Sequence, residues 1–156
     1  MAVKGITRSI VFLGVFALQS LNQQKALANE CSHNENNFRC VKFIDNYDGD
    51  TITVNIPRVH HFFGKKVPIR VYGVDTPERK SQDFREKTKA LEAMQVTHDL
   101  LSRAREIELR NAERGKYFRV VAEVYYDGHN LGQALIDRGL AVPYYGDEKP
   151  LVNWCR

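Results

Sequence analysis

Residues 51–74 read TITVNIPRVHHFFGKKVPIRVYGV. The first six, TITVNI, alternate β-branched apolar with polar side chains, the period-two pattern of a strand with one buried face. The last eight, VPIRVYGV (residues 67–74), form a second such run. Thr76-Pro77 ends it, because proline has no ladder N–H to give. Between the two runs lies a long connection, residues 57–66, with an aromatic and basic tip, HHFFGKK.

Working outward, residues 41–45 alternate as another strand, and Tyr47-Asp48-Gly49-Asp50 is a turn. Residues 29–39 are polar and predict a surface arm. Downstream, residues 79–87 are charged and loop-like. Over residues 87–103 apolar side chains recur at helical spacing, with Leu91, Met94 and Leu101 as the expected core stripe beside Ala90 and Ala104. A short strand is expected at 106–109, a polar loop with Gly115 at 111–117, and another strand at 120–126 (VVAEVYY). Asp127-Gly128 is a hairpin turn signal. A short helix at 131–138 ends at Gly139, the usual residue just past a helix C-terminus. Three strands, a helix, two strands and a helix predict an α+β fold, mainly β. The expected form is a five-stranded Greek-key barrel of the OB type with flanking helices.

Of 156 residues, 43% are hydrophobic and 27% charged, a globular balance that excludes a disordered chain. Lys plus Arg number 23 against 19 Asp plus Glu. The excess is local. Lys4, Arg8 and Lys25 precede the first acid, Glu30, and Lys4 and Arg8 stand before a short apolar run, IVFLGVFAL. Ala26-Leu27-Ala28 then offers a processing site. Residues 1–28 therefore read as a secretory signal peptide, 29–39 as the arm and 40–156 as one domain. Without the signal the charge is nearly balanced, so any case for a polyanionic partner rests on local arrangement. Export would place Cys31, Cys40 and Cys155 in an oxidising compartment. Three cysteines do not fix a pairing. Cys31–Cys40 is the expected pair, with Cys155 able to take either partner.

Acids gather at strand ends. Asp48 and Asp50 flank Gly49, and Asp75 and Glu78 flank Thr76-Pro77. Each alone is ordinary turn chemistry. Together, hard oxygens on tight turns suit calcium, which accepts carboxylates, carbonyls and water in loose geometry. Arg70 stands inside an apolar strand, which is costly unless the guanidinium is paired. Arg119 stands just before VVAEVYY. Two fixed arginines, several acids and a hard cation describe phosphodiester hydrolysis. The scattered His33, His98 and His129 read as solvent-facing, and Trp154 as docking the C-terminus.

Tyr47-Asp48-Gly49-Asp50-Thr51, IRVYGVDTPE (residues 69–78), Lys116-Tyr117-Phe118-Arg119 and GHNLGQALIDRGLA (residues 128–141) resemble the thermonuclease family, that of staphylococcal nuclease. The resemblance implies an OB-type barrel that cleaves DNA and RNA with calcium and leaves 3′-phosphate ends. It implies Asp50, Asp75 and the Thr76 carbonyl as calcium ligands, with Asp48 just outside. Glu78 matches the general base or water organiser, and Arg70 and Arg119 match the arginines that hold the phosphate. Lys116, Tyr117 and Tyr145 match substrate contacts. Phe118 stands where the family often has glycine. The 57–66 connection is long, and reads as an ordinary hairpin or as a further DNA contact. The long charged C-terminal helix of the type member is missing. The expected protein is a secreted or periplasmic monomer. A non-catalytic single-strand binder or a calcium-stabilised interaction domain are the alternatives, and neither accounts for Arg70, Glu78 and Arg119 together.

Overall fold

The computed structural model describes residues 31–115, 119–148 and 151–154. The signal segment, Lys116, Tyr117, Phe118 and Cys155 lie outside the described residues. Chain order runs β1 (Lys42–Asn46), β2 (Thr51–Asn55), a one-turn helix α1 (His61–Gly64), β3 (Val67–Val71) and β4 (Gly73–Asp75). It continues with the long helix α2 (Phe84–Arg103), β5 (Ile107–Arg114), β6 (Val120–Tyr126), β7 (His129–Asn130), α3 (Leu131–Ile136) and β8 (Val142–Tyr144).

The strands alternate as their sequence demands. In β2, Ile52 and Val54 point inward and are fully buried, and Ile69 and Val71 of β3 do the same. Each such side chain contributes about 1.5–3 kcal/mol by leaving water. The main sheet runs β1-β2-β3-β6-β5, with β7 on β6, and β4 pairs separately with β8. Every pairing is antiparallel except β3 with β6. The chain is thus a mixed α+β fold. The main path links five strands, but among the described residues its end strands β1 and β5 do not pair, so the ladder alone does not close the expected barrel. The residues before β1 join the two ends instead: Phe38 and Leu109 exchange two backbone bonds, each 2.8 Å, and Val41 N–H donates to the Ile107 carbonyl at 2.9 Å.

Four local expectations change. The 67–74 run breaks at Tyr72 because Gly73 adopts φ 83°, and residues 73–75 turn away to pair with β8. This left-handed conformation is one that only glycine takes without strain. Strand β5 runs on to Arg114, five residues past its expected end. Asn111 at φ 52° absorbs the irregularity that lets it continue. The buried face of α2 is Ala90, Ala93, Thr97 and Leu101, while Leu91 is 46% exposed. Apart from the expected Leu101 the core stripe is made of small residues, and Ala93 and Thr97 let the helix lie close to the turn at Gly49. His33 is half-buried rather than solvent-facing, its Nε2 lying 2.6 Å from the Pro57 carbonyl. His98 and His129 are exposed as expected. Cys31 and Cys40 are joined by a disulfide.

Candidate active site

The register of β2 on β3 sets Thr51 opposite Arg70. Asp50, one residue before Thr51, therefore reaches the guanidinium, and its carbonyl accepts from Val71 N–H at 2.8 Å. Arg70 forms an ion pair with Asp50 through Nη1 and bonds Asp75 Oδ1 through Nη2 at 3.3 Å. Both carboxylates are buried, Asp50 to 4% and Asp75 to 6% exposure. Asp50 Oδ2 also accepts from Thr76 N and Thr76 Oγ1, each at 3.0 Å. Two turns far apart in sequence, DGDT and DTPE, are thus clamped together through one arginine and one threonine.

Burial pushes Asp50 up to about 6. Arg70 pulls it down, and the neighbouring Asp48 pushes it up again. Asp48 Oδ1 accepts from Asp50 N at 3.1 Å, so it both shapes the turn and crowds it with charge. Nη1 of Arg70 is buried without an aligned hydrogen bond, although it faces Asp50. The cluster holds more acid than one guanidinium balances. Its donors are hard oxygens, and they fit a hard divalent cation. Among the described residues no three acids, histidines or cysteines are grouped closely enough to cage an ion alone. Asp50 and Asp75 would therefore hold the cation together with carbonyls, water or substrate oxygens.

Beside this cluster opens a cleft of ≈ 510 Å³. Arg70, Arg119 and Tyr145 all line it, together with Tyr72, Glu113, Arg114 and Glu123. Arg119 reaches it because β6 runs parallel to β3, pairing Val120 with Ile69, so the residue before β6 starts at the rim. Tyr145 is 64% exposed and meets Tyr72 edge-on at 5.8 Å. Glu78 is exposed, two residues beyond Thr76. Its N–H donates to Glu86 Oε1 at 3.0 Å, tying it to the first turn of α2. Arg70, Asp50, Asp75 and Thr76 thus converge. Arg119 and Tyr145 share the cleft that Arg70 lines, and Glu78 stands on the adjoining loop.

Several supporting residues escape a reading of motifs. Thr97 is fully buried on α2, and its hydroxyl donates to the Gly49 carbonyl at 2.7 Å. Asn46 Nδ2 donates to the carbonyls of Asp48 and Met94 at 2.8 and 2.9 Å. Gly49 is packed so closely that a Cβ there would lie 2.8 Å from Thr76 Cγ2 and 2.9 Å from Ala93 Cβ. Arg79 stacks 4.9 Å over the Tyr47 ring and donates to the Tyr47 carbonyl. Of these, a polar Asn46 beside the turn and a threonine amid small helix residues were the available signals.

Residues 68–152, more than half of the chain and including most of the site, match the family described as staphylococcal nuclease homologue. The chain belongs to that family. Two curated proteins illustrate the relationship. One, from Haemophilus influenzae, carries the name "Uncharacterized endonuclease" and is 31% identical over 114 residues, 73% of this chain and 56% of that protein. The other, "Endonuclease YncB" of Bacillus subtilis, is 33% identical over 96 residues, 60% of this chain and 43% of that protein. The chain spans about half the length of these two curated relatives. The family match contains Arg70, Asp75, Thr76, Glu78 and Arg119, whereas Asp50 lies before it.

Proposed function

We propose that this chain is a calcium-dependent endonuclease that hydrolyses phosphodiester bonds of DNA and RNA and leaves 3′-phosphate ends. The observation that carries the reading is Arg70: a guanidinium fixed by two buried aspartates at the rim of the cleft that Arg119 also lines. The endonuclease names of both relatives point the same way. A bound calcium would polarise the phosphate and neutralise its charge. Asp50, Asp75 and the Thr76 carbonyl would hold that cation, and the Thr76 N–H and hydroxyl keep Asp50 oriented. Arg70 and Arg119 bind the phosphate oxygens and match their charge as the phosphorus becomes five-coordinate. One such preorganised donor contributes about 3–4 kcal/mol. Glu78 orients the attacking water and accepts its proton at a carboxylate oxygen; the new P–O bond replaces the P–O5′ bond, and the leaving oxygen takes a proton from solvent to depart as the 5′-hydroxyl. Lys116, Tyr117 and Tyr145 bind the nucleotide flanking the scissile bond.

The same reading makes the sheet, with Phe38 and Val41 bonded across to β5, an OB-type barrel. It also makes residues 1–28 a signal removed on export to the periplasm or beyond, leaving a monomer. Plasmid nicking tests the activity. Calcium should support nicking, magnesium should support little because it demands stricter geometry, and excess chelator should abolish it. Full nicking in chelator overturns the metal, and binding without nicking under every condition overturns the enzyme. End-labelling of the products checks the position of the phosphate.

A further inference from the structure

The connection between β2 and β3 ends in a tip that the cleft does not use. Residues 51–74 contain no acid, yet they include Arg58, Lys65, Lys66, His60 and His61. Phe62 is 80% exposed and Phe63 61%. Their rings meet edge-to-face with centroids 5.1 Å apart. Single exposed apolar side chains are commonplace. Here two large rings stand in water on backbone that is firmly held. Ile56 N–H donates to Gly64 O at 2.7 Å, and Gly64 N–H to His60 O at 2.9 Å. Lys66 N–H donates to Asn55 Oδ1 at 2.9 Å. A Cβ on Gly64 would lie 2.7 Å from the Ile56 carbonyl, so the glycine lets the chain fold back on itself. Val59 packs on the core beneath. The rings are thus presented on a segment that carries cations and no carboxylate of its own.

Exposed aromatic faces among cations match a strand that offers both bases and phosphates. A duplex hides its base faces in the stack and offers phosphates alone. We propose that the tip at residues 57–66 is a second nucleic-acid contact: Phe62 and Phe63 stack on unpaired bases, and Lys65 and Lys66 meet the phosphates beside them. The proposal rests on the nuclease reading only in that the strand bound is the substrate. The ladder from the Thr51–Arg70 pair to the Val54–Val67 pair separates tip from site. That is about 10 Å at the rise of an antiparallel strand. A long single strand can reach both places, and a minimal substrate reaches only the cleft.

The test compares the full chain with two double variants, Phe62→Ala/Phe63→Ala and Lys65→Gln/Lys66→Asn. Asparagine suits position 66, where φ is 49°. All four side chains are exposed, and thermal melts should match the parent. Binding of a labelled poly-dT strand is measured by anisotropy in chelator. The phenylalanine variant should bind it about tenfold more weakly and bind duplex as the parent does. The lysine variant should flatten the slope of log K against log salt by about 1.4, two phosphate contacts on a single strand. Cleavage of a minimal dinucleotide ester should keep its parental rate in both. Parental poly-dT affinity in the phenylalanine variant overturns the proposal, as does an equal loss on duplex. So does a variant that loses binding to phosphatidylserine vesicles while keeping poly-dT, because the tip would then be a membrane contact. A parent that binds poly-dT through the tip yet cuts nothing upholds the tip and sinks the nuclease reading.

Discussion

Arg70 is asked to do two things with one guanidinium. Its pairing with Asp50 and Asp75 holds two turns together, and it lines the cleft where the proposed reaction would bring a phosphate. The two roles respond differently to substitution. Arg70→Lys keeps a charge for the aspartates but loses the planar fork that meets two phosphate oxygens. The expected result is a folded protein whose kcat falls by about 10²–10³, the usual effect of removing one preorganised donor, with KM little changed. Arg119→Lys should fall by a similar factor at no cost in stability, since Arg119 is exposed. Steady-state kinetics on a defined oligonucleotide, with thermal melts alongside, check both. Parental kcat in the folded variants would return both arginines to structure. Arg70→Ala is the less informative change, because stranding two buried carboxylates costs about 3–5 kcal/mol. Glu78 is exposed, where the loss of a surface contact costs little. Glu78→Gln should therefore leave the melting temperature alone and lower kcat by roughly 10²–10⁴. Parental kcat in the folded variant would show that Glu78 does not handle the proton.

The elements explain why such a site stays in place, and here the sequence was partly silent. Motifs and periodicity located Asp50, Arg70, Asp75, Thr76 and Arg119, because turn residues and an arginine inside an apolar strand are local signals. Period two likewise found β2, β3 and β6, where one face alone is buried. What escaped depends on partners distant in sequence. The face α2 buries is set by the turn it covers, so the larger Leu91 stays outside while Ala93 and Thr97 go in. Strand β8 is too short to show a period, and it exists because Gly73 sends β4 toward it. The tyrosine it ends on, Tyr144, precedes the cleft residue Tyr145. The helix acts as a backstop for the DGDT turn through Thr97 and through the close approach at Gly49. Gly49→Ala tests this. The added methyl meets Thr76 and Ala93 with no room on either side, and overpacking of this kind costs about 1–3 kcal/mol. Because Thr76 also holds Asp50, activity should fall further than stability alone explains. A lower melting point with parental kcat would make α2 a packing element only. Thr97→Val separates the causes: it keeps the volume, strands the Gly49 carbonyl at about 1–3 kcal/mol, and leaves Thr76 undisturbed.

At the scale of the whole molecule, the question is what secures the two ends of the main sheet. Strand β5 carries Ile107 and Leu109 inward and Glu108 and Arg110 outward. The arm crosses it: Phe38 exchanges backbone bonds with Leu109, and Arg39 reaches the outward face. There Glu108 accepts from Arg39 Nε at 2.8 Å and from Arg110 Nη2 at 2.7 Å, while Arg110 stacks 3.9 Å over Tyr125. The Cys31–Cys40 disulfide closes a short loop at the start of this arm, a constraint of about 3 kcal/mol in the chain-entropy account. Glu108 makes the closure sensitive to acid. Burial pushes its carboxyl up, but the hydrogen bonds from Arg110 and Arg39 more than offset that, and the group ends below its ordinary value of 4.5. A carboxylate held low in the fold stabilises it fully above the unfolded value, and the contribution fades as pH falls through the lower folded value. Both arginines are more than a third exposed, so solvent screening limits the effect to the order of 1 kcal/mol. Glu108→Gln should therefore melt earlier than the parent at neutral pH, and the two stability curves should converge as the pH drops below about 4. The gap at neutral pH should narrow in high salt, since the pairs lie near the surface. Denaturant melts across this pH range give the answer directly. A gap that persists undiminished into acid would mean that Glu108 supports the arm by packing and neutral hydrogen bonds rather than by charge.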